Sequence, residues 1–313
     1  MENKPLIIIG GATGVGKSAL SVELAKRING EIISADSMQI YKGMDIGTAK
    51  ITKEEACGIT HYLIDEEDPD FDFNVCEFKS RAEKYIEKIY SHGNIPIIAG
   101  GTGFYIQSVL YDIDFSEESA PGEYRSKLEA MDADALYGLL KENDPESAAL
   151  IHKNNKKRVI RALEYYHSTG EPISEHNKAQ RQNKPPYNYA YFILNRERAE
   201  IYKRTDRRVD LMLEAGLEAE VRGLLEKGIS ENALSMQAIG YKEMIPYIKG
   251  EISLDEAANL IKLDTRHFAK RQITWFRREK KAVWINYEDY PDPDRMLEKM
   301  LDILKEKNIV QLS

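Results

Sequence analysis

An apolar run, Leu6-Ile7-Ile8-Ile9, passes directly into Gly10-Gly11-Ala12-Thr13-Gly14-Val15-Gly16-Lys17-Ser18, and a helix-compatible stretch from Ala19 to Ile28 follows. A loop wrapped around phosphate must turn several backbone amides inward, and glycine tolerates both the dihedrals and the close approach that this requires. The helix beginning at the loop adds the partial positive charge and unpaired amides of its N-terminus. The spacing therefore assigns Gly11, Ala12, Thr13, Gly14, Val15, Gly16, Lys17 and Ser18 to a phosphate cradle, in which Lys17 supplies a full charge and Ser18 offers its hydroxyl to magnesium. A turn that only joined strand to helix would need neither of those side chains. The motif does not specify whether the phosphates belong to a nucleotide.

Further strand-like runs, Glu31–Ser34, Ile95–Ala99, Tyr191–Leu194 and Ala282–Ile285, alternate with helical patterns around Ala19–Ile28 and Glu77–Tyr90. With the loop, this alternation predicts an α/β protein with a P-loop NTPase-like, mostly parallel sheet flanked by helices. From about Asp114 to Pro186 no strand pattern appears, while Ala133–Lys141, Pro145–Leu150 and Lys156–His167 read as helices. At 313 residues the chain exceeds one ordinary domain. The expected division is an α/β core over 1–113 and 187–313 and an all-helical insertion over 114–186. After the insertion, Arg198–Lys227 and Leu254–Arg278 read as two long helices.

Hydrophobic residues at 42% and charged residues at 31% describe a globular protein without a membrane span. The first residues lack the apolar segment of a secretory signal, so a cytoplasmic location and no membrane partner are expected. Cys57 and Cys76 show no metal-binding or redox spacing and read as buried or idle thiols. His61 and His152, with no metal-ligand spacing around them, read as structural.

The formal net charge of −8 would argue against a nucleic-acid partner, but its distribution argues for one. Residues 114–151 carry ten acidic and three basic side chains, whereas 152–190 carry eight basic and three acidic. Residues 262–281 have eight basic against two acidic, and 196–208 have six against three. Local excesses of this kind bind a phosphate backbone whatever the whole-chain sum, although any one of them also suits a solvated helix face.

Ligands of parallel sheets sit at the carboxyl ends of the strands. Three polar turns fall there: the phosphate loop, Asp36-Ser37, and Gly100-Gly101-Thr102-Gly103. Asp36 reads either as a turn former or as a functional carboxylate, and the following Ser37-Met38-Gln39-Ile40-Tyr41 suits a pocket that reads a base. A magnesium-dependent small-metabolite kinase would want an apolar strand ending in aspartate, whereas the third strand-like run ends in Gly-Gly-Thr. The kinase reading is weakened and stays open. So does a non-catalytic, nucleotide-gated RNA-binding module.

The loop Gly11–Ser18, the blocks Asp36–Lys50, Gly100–Tyr105, Arg158–Glu164 and Gln237–Glu243, and Thr265–Phe276 together resemble the bacterial tRNA dimethylallyltransferases. The resemblance runs from Ile8 to about Trp284, and the Asp36 and Thr265 blocks are its most specific parts. It implies transfer of a dimethylallyl group from dimethylallyl diphosphate to N6 of the adenosine immediately 3′ of the anticodon, with release of diphosphate. The implied partners are the tRNA anticodon stem-loop and the allylic diphosphate, the cofactor is Mg2+, and a monomer is expected.

Residue by residue, the resemblance makes Asp36 the group that orients the amine and takes its proton, with Lys17, Ser18 and Thr102 beside it as catalytic residues. Asp36, Ser37, Met38, Gln39 and Thr102 would face the tRNA, Thr102 being otherwise a turn hydroxyl. Arg204 and Arg208, four apart on one helical face, resemble the family's pyrophosphate-side arginines, with Arg207 as a competing candidate. In the insertion, Lys157, Arg158, Val159, Ile160 and Arg161 form the implied anticodon-stem segment, joined by Arg125. Where the family usually has Asp and Gln, this chain has Asn155 and Lys157, which exchanges a base-specific or structural contact for a phosphate contact. Trp275 and Phe276 read as core residues rather than base platforms.

Overall fold

The computed structural model describes residues 4–115, 122–180 and 183–310. Its elements run β1 (Pro5–Gly11), α1 (Lys17–Ile28), β2 (Gly30–Ser34), α2 (Lys53–Ala56), β3 (His61–Tyr62), α3 (Val75–Ser91), β4 (Ile95–Gly100) and α4 (Gly103–Leu110). Five helices follow: α5 (Glu123–Ala130), α6 (Ala133–Asn143), α7 (Pro145–Leu150), α8 (Lys156–Thr169) and α9 (Ile173–Gln180). The chain closes with β5 (Asn188–Asn195), α10 (Arg198–Glu214), α11 (Leu217–Glu226), α12 (Tyr241–Ile248), α13 (Leu254–Phe276), β6 (Val283–Asn286) and α14 (Pro293–Glu306). Two compact units result, Met1–Val109 with Tyr187–Ser313, and Leu110–Pro186.

The first unit holds one six-stranded, all-parallel sheet in the order β3-β2-β4-β1-β5-β6. β1 lies inside it between β4 and β5, which explains why Leu6 to Ile9 are fully buried and uninterrupted by polar residues. Strand alternation splits the run between two faces. Ile7 and Ile9 share a cluster with Leu24 and Ile28 of α1 and Met300 and Leu304 of α14. On the other face Phe276 comes so near that a Cβ on Gly10 would lie 2.8 Å from its ring. Because every strand is parallel, all the turns that follow strands emerge at one edge of the sheet.

Three expectations need correction. β3 adds a strand that its two-residue length hid, pairing Ile32 with His61 and Ile33 with Tyr62. The stretch expected as one helix from Arg198 to Lys227 is two, broken at Ala215-Gly216, where Gly216 takes φ 99° and α11 starts in a new direction. Cys57 is exposed and Cys76 half-buried, so of the expected buried or idle thiols the buried alternative falls.

The second unit packs Leu128, Leu136, Leu140, Val159, Ile160 and Leu163 into its own core. Asp144 caps α7 through the Ser147 amide at 2.9 Å and also accepts from the Ser174 amide at 3.0 Å, which joins α7 to α9. His152 accepts from the Asn154 amide at 3.2 Å and so shapes the turn before α8.

Candidate active site at the carboxyl edge of the sheet

The phosphate loop is held from outside by its carbonyls. Arg204 Nε donates to Gly14 O at 2.8 Å, Arg196 Nε to Val15 O at 3.1 Å, and the Tyr287 hydroxyl to Gly16 O at 3.3 Å. In a trans peptide the N–H points opposite to its own carbonyl, so the Gly16 and Lys17 amides point away from Arg196 and from the Tyr287 hydroxyl, while the Val15 amide is taken by Ala12 O at 3.4 Å. Glycine is required here by space as well as by dihedral. A Cβ on Gly11 (φ 147°) would lie 2.6 Å from Leu194 O, and one on Gly16 (φ 109°) 2.6 Å from the Tyr287 hydroxyl. Ala12 and Val15 are buried and act as the loop's footing, while Ser18 is exposed at the start of α1.

Lys17 Nζ donates to Ala12 O at 2.9 Å. Burial pushes its ammonium down from the ordinary 10.5 to about 8, opposed by the nearby Asp36 carboxylate and assisted by the Arg208 guanidinium. Asp36 also acts on Arg208, whose pKa burial and Arg204 lower, and on Tyr105, which burial pushes up. Asp36 therefore shares a field with the cradle's lysine and with the arginine behind it. Arg208 reaches Thr13 Oγ1 at 3.3 Å. Arg204 and Arg208 thus both meet the loop; Arg204 and Arg207 are exposed and Arg208 is half-buried.

Asp36 does form the turn that its sequence context allowed, with Oδ1 accepting the Met38 amide at 2.9 Å. That bond fixes the carboxylate without consuming it. Thr102 stands beside it because its amide donates to Ala35 O at 3.0 Å, and a Cβ on Gly100 would collide with Ala35 O at 2.2 Å. Ser37 and Met38 are half-exposed in the same turn. Gln39 is placed differently: its carboxamide accepts from Ser34 Oγ at 3.0 Å and donates to Thr48 O at 3.2 Å, so it braces the Asp36–Lys50 segment instead of facing outward.

That segment is pinned at its far end by Glu220, a residue sequence reasoning did not single out. Its carboxylate accepts from the amides of Asp45, Ile46 and Gly47 at 2.8, 2.8 and 3.1 Å and from the Tyr241 hydroxyl at 2.5 Å. Gly47 is obligatory because a Cβ there would lie 2.4 Å from the Tyr241 ring. Gln272 was missed as well. It is 6% exposed, its Oε1 accepts from the Thr13 amide at 2.8 Å and its Nε2 donates to Gly101 O at 3.0 Å. The available signal was a polar residue on the helix face that also carries the buried Ala269 and Phe276.

Along α13, His267, Lys270, Arg271, Thr274, Trp275 and Arg278 line a groove of about 410 Å³. Phe276 is core as expected, but Trp275 is only half-buried. Its ring lies against Gly103, meets Phe104 edge-on at 6.2 Å and carries the Arg278 guanidinium at 5.4 Å.

In the second unit, Lys157 and Arg158 are exposed and Arg161 half-exposed on α8. Val159 and Ile160 are 0% and 3% exposed in the unit's core, so their expected side-chain contact with RNA is replaced by a packing role: helical geometry turns them away from the face that carries the charges. Arg125 is paired with Glu129 at 3.0 Å and Glu164 at 3.3 Å. Asn155 caps α8, its Oδ1 accepting the Arg158 amide at 3.4 Å.

The IPP transferase family matches residues 39–279, most of the chain, although the phosphate loop and Asp36 precede the matched span. The tRNA dimethylallyltransferase of Lachnoclostridium phytofermentans is 55% identical, over 98% of this chain and 100% of its own. The chain belongs to the IPP transferase family. The fold agrees with this assignment. The tRNA isopentenylpyrophosphate transferase of Bacillus halodurans superposes with a TM-score of 0.75 at 42% identity, covering 97% of this chain and 96% of that one. A eukaryotic dimethylallyltransferase solved acting on tRNA gives 0.85 at 31% identity, covering 97% and 80%. Among the described residues no helix is long and apolar enough to cross a membrane, and no group of three or more His, Cys, Asp or Glu side chains is placed to hold a metal.

Proposed function

We propose that this member of the IPP transferase family transfers a dimethylallyl group from dimethylallyl diphosphate to N6 of the adenosine immediately 3′ of the anticodon in tRNA, releasing diphosphate. The observation that carries the reading is the meeting, at the carboxyl edge of the sheet, of a phosphate loop held by Arg204 and Arg208 with the turn that carries Asp36, whose carboxylate lies within electrostatic reach of Lys17 and Arg208. One side of that edge suits a departing anion and the other a group that must lose a proton.

When the allylic carbon–oxygen bond breaks, negative charge grows on the diphosphate. Lys17, Arg208 and the loop amides stabilise it, each such donor being worth ~3 kcal/mol of barrier. Adenine N6 is a weak nucleophile because its lone pair is conjugated with the ring. Asp36 orients the amine and takes its proton as the new carbon–nitrogen bond forms, and Thr102 sits beside it at the reacting base. The base leaves the anticodon-loop stack to reach this crevice.

Magnesium keeps several of its waters and binds largely through substrate phosphates, so an exposed hydroxyl at the first turn of α1, beside the loop, suits it as a protein ligand. Ser18 is the residue that would hold it, and when bound it would neutralise part of the diphosphate charge. The basic groove of α13 in the first unit suits phosphate contacts, and so, in the second unit, do Lys157, Arg158 and Arg161.

Incubation with labelled dimethylallyl diphosphate and unmodified tRNA tests the reading. Label should pass to the RNA with one diphosphate released per transfer. ATP consumption matched to a phosphorylated metabolite would instead support a kinase, and nucleotide-dependent RNA affinity without product would support a binding module.

A further inference from the structure

We propose that Gln272 is a positioning residue that sets the separation between the phosphate loop and the Asp36–Thr102 turn, and through it the alignment of the leaving diphosphate with the attacking amine. The inference rests on the transfer reaction proposed above.

One buried carboxamide joins two segments far apart in the chain. Its oxygen accepts from the Thr13 amide at 2.8 Å, and its nitrogen donates to Gly101 O at 3.0 Å. From Gly101 the connection continues through the next peptide, because the Thr102 amide donates to Ala35 O at 3.0 Å and Asp36 follows Ala35. A path of peptide bonds and hydrogen bonds therefore runs from the diphosphate side of the crevice to the amine side. The fit leaves no slack: a Cβ on Gly101 would lie 2.1 Å from Gln272 Nε2. Gln272 itself is held by its helix, since Ala269 and Phe276, one turn to either side, are both fully buried.

The chemistry requires this side chain. A carboxamide presents a donor and an acceptor together on one rigid plane, and the glutamine stem lets it reach both partners. Glutamate offers no donor when ionised, asparagine is one methylene short of spanning both partners, and methionine fills the space with neither group. The bond also commits the Thr13 amide to the protein, so the amides left for a ligand are those farther along the loop. Displacing reacting groups by about 1 Å costs on the order of 100-fold in rate, so the expected loss appears in kcat and not in the binding of either substrate.

The test compares full-length wild type with Gln272→Asn, Gln272→Glu and Gln272→Met. Steady-state kinetics with dimethylallyl diphosphate and unmodified tRNA are measured alongside thermal melting and amide exchange at Thr13. The expected result, measured at a temperature where each variant is folded, is a kcat lowered on the order of 30- to 100-fold in all three variants, with both KM values within about threefold. The Thr13 amide should be protected in wild type and exchange faster in Gln272→Met. Variants that melt earlier but keep kcat would reduce Gln272 to a packing residue and overturn the proposal. A raised KM for tRNA with kcat intact would make it an RNA contact and also overturn it. Wild type that labels no tRNA would bring down the transfer reaction together with this role, whereas active wild type with unimpaired variants would remove the role alone.

Discussion

The Thr102 amide donates to the carbonyl of Ala35 at 3.0 Å, and this bond places Thr102 next to Asp36 although the two are 66 positions apart in the chain. The Ala35 amide donates to Ala99 O at 2.8 Å and so carries the β2–β4 pairing one residue beyond Ser34, and the Thr102 bond follows one residue out of that register, where the two turns begin. Backbone bonds at the ends of β2 and β4 therefore bring the two turns together. A site fixed this way is stiff enough to hold a weak nucleophile in line.

Asp36→Ala should lower turnover by 10²- to 10⁴-fold, the usual contribution of a positioned general base, while tRNA affinity changes less than about threefold. Label transfer at saturating substrate and filter binding measure the two quantities separately. Parallel losses in both would mean that the carboxylate's bond to the Met38 amide, and hence the turn, is its whole contribution.

Lys17 gives a pH dependence with a defined sign. Its ammonium is lowered to about 8 in the free protein, and a bound diphosphate favours the charged form and raises it. Affinity for inorganic diphosphate is therefore flat below about pH 8 and weakens above it, by up to about tenfold per unit, because the proton must then be taken up on binding. The diphosphate titrates too, so Lys17→Arg is the reference: its guanidinium stays charged throughout. Calorimetric titrations between pH 6.5 and 9.5 should diverge for the two proteins only above 8. Parallel profiles would remove Lys17 from the cradle.

How much of this was legible in the sequence follows from how local each feature is. The loop and the strand and helix that flank it are contiguous, so β1 and α1 were readable, as was the parallel sheet implied by alternating apolar runs. Glu220 and Gln272 were not, because the loop segments they hold, Asp45 to Gly47 for Glu220 and Thr13 with Gly101 for Gln272, lie 173 to 175 and 171 to 259 positions away and no spacing rule reaches that far. β3 failed for the opposite reason: two residues carry no period. Val159 and Ile160 were assigned with their charged neighbours as one block, whereas a helix separates consecutive residues by 100° and sends them to opposite duties.

That separation on α8 is itself testable. Arg158→Ala should weaken tRNA binding and lower the slope of log affinity against log salt by about one unit if the guanidinium neutralises one phosphate. Ile160→Ala should leave the slope unchanged and instead cost about 2–5 kcal/mol of stability, since its side chain is in the core of the helical unit. Salt-dependent binding and urea melts of both variants distinguish the roles. A changed slope in Ile160→Ala at full folding would return that residue to the RNA surface.

Glu31, at the start of β2 and away from the active site, supplies the last prediction. It is 6% exposed, and its carboxylate accepts from the Tyr62 hydroxyl at 2.6 Å and from Asn94 Nδ2 at 2.6 Å, with His92 Nδ1 at 2.8 Å. Burial alone would raise its pKa, but these hydrogen bonds and the His92 charge together outweigh it and hold the group below the ordinary carboxylate value. A carboxyl with a depressed folded pKa binds fewer protons folded than unfolded, so the stability it contributes is present above the unfolded value and is lost as pH falls through the folded one. Urea midpoints should accordingly fall between pH 6 and pH 3 in wild type. Gln at this position keeps an acceptor but cannot titrate, so Glu31→Gln should be less stable than wild type at pH 6 and show a shallower fall toward acid. Equal slopes would mean that other carboxylates dominate the acid limb and that the Tyr62–Asn94–His92 arrangement does not stabilise the charged form.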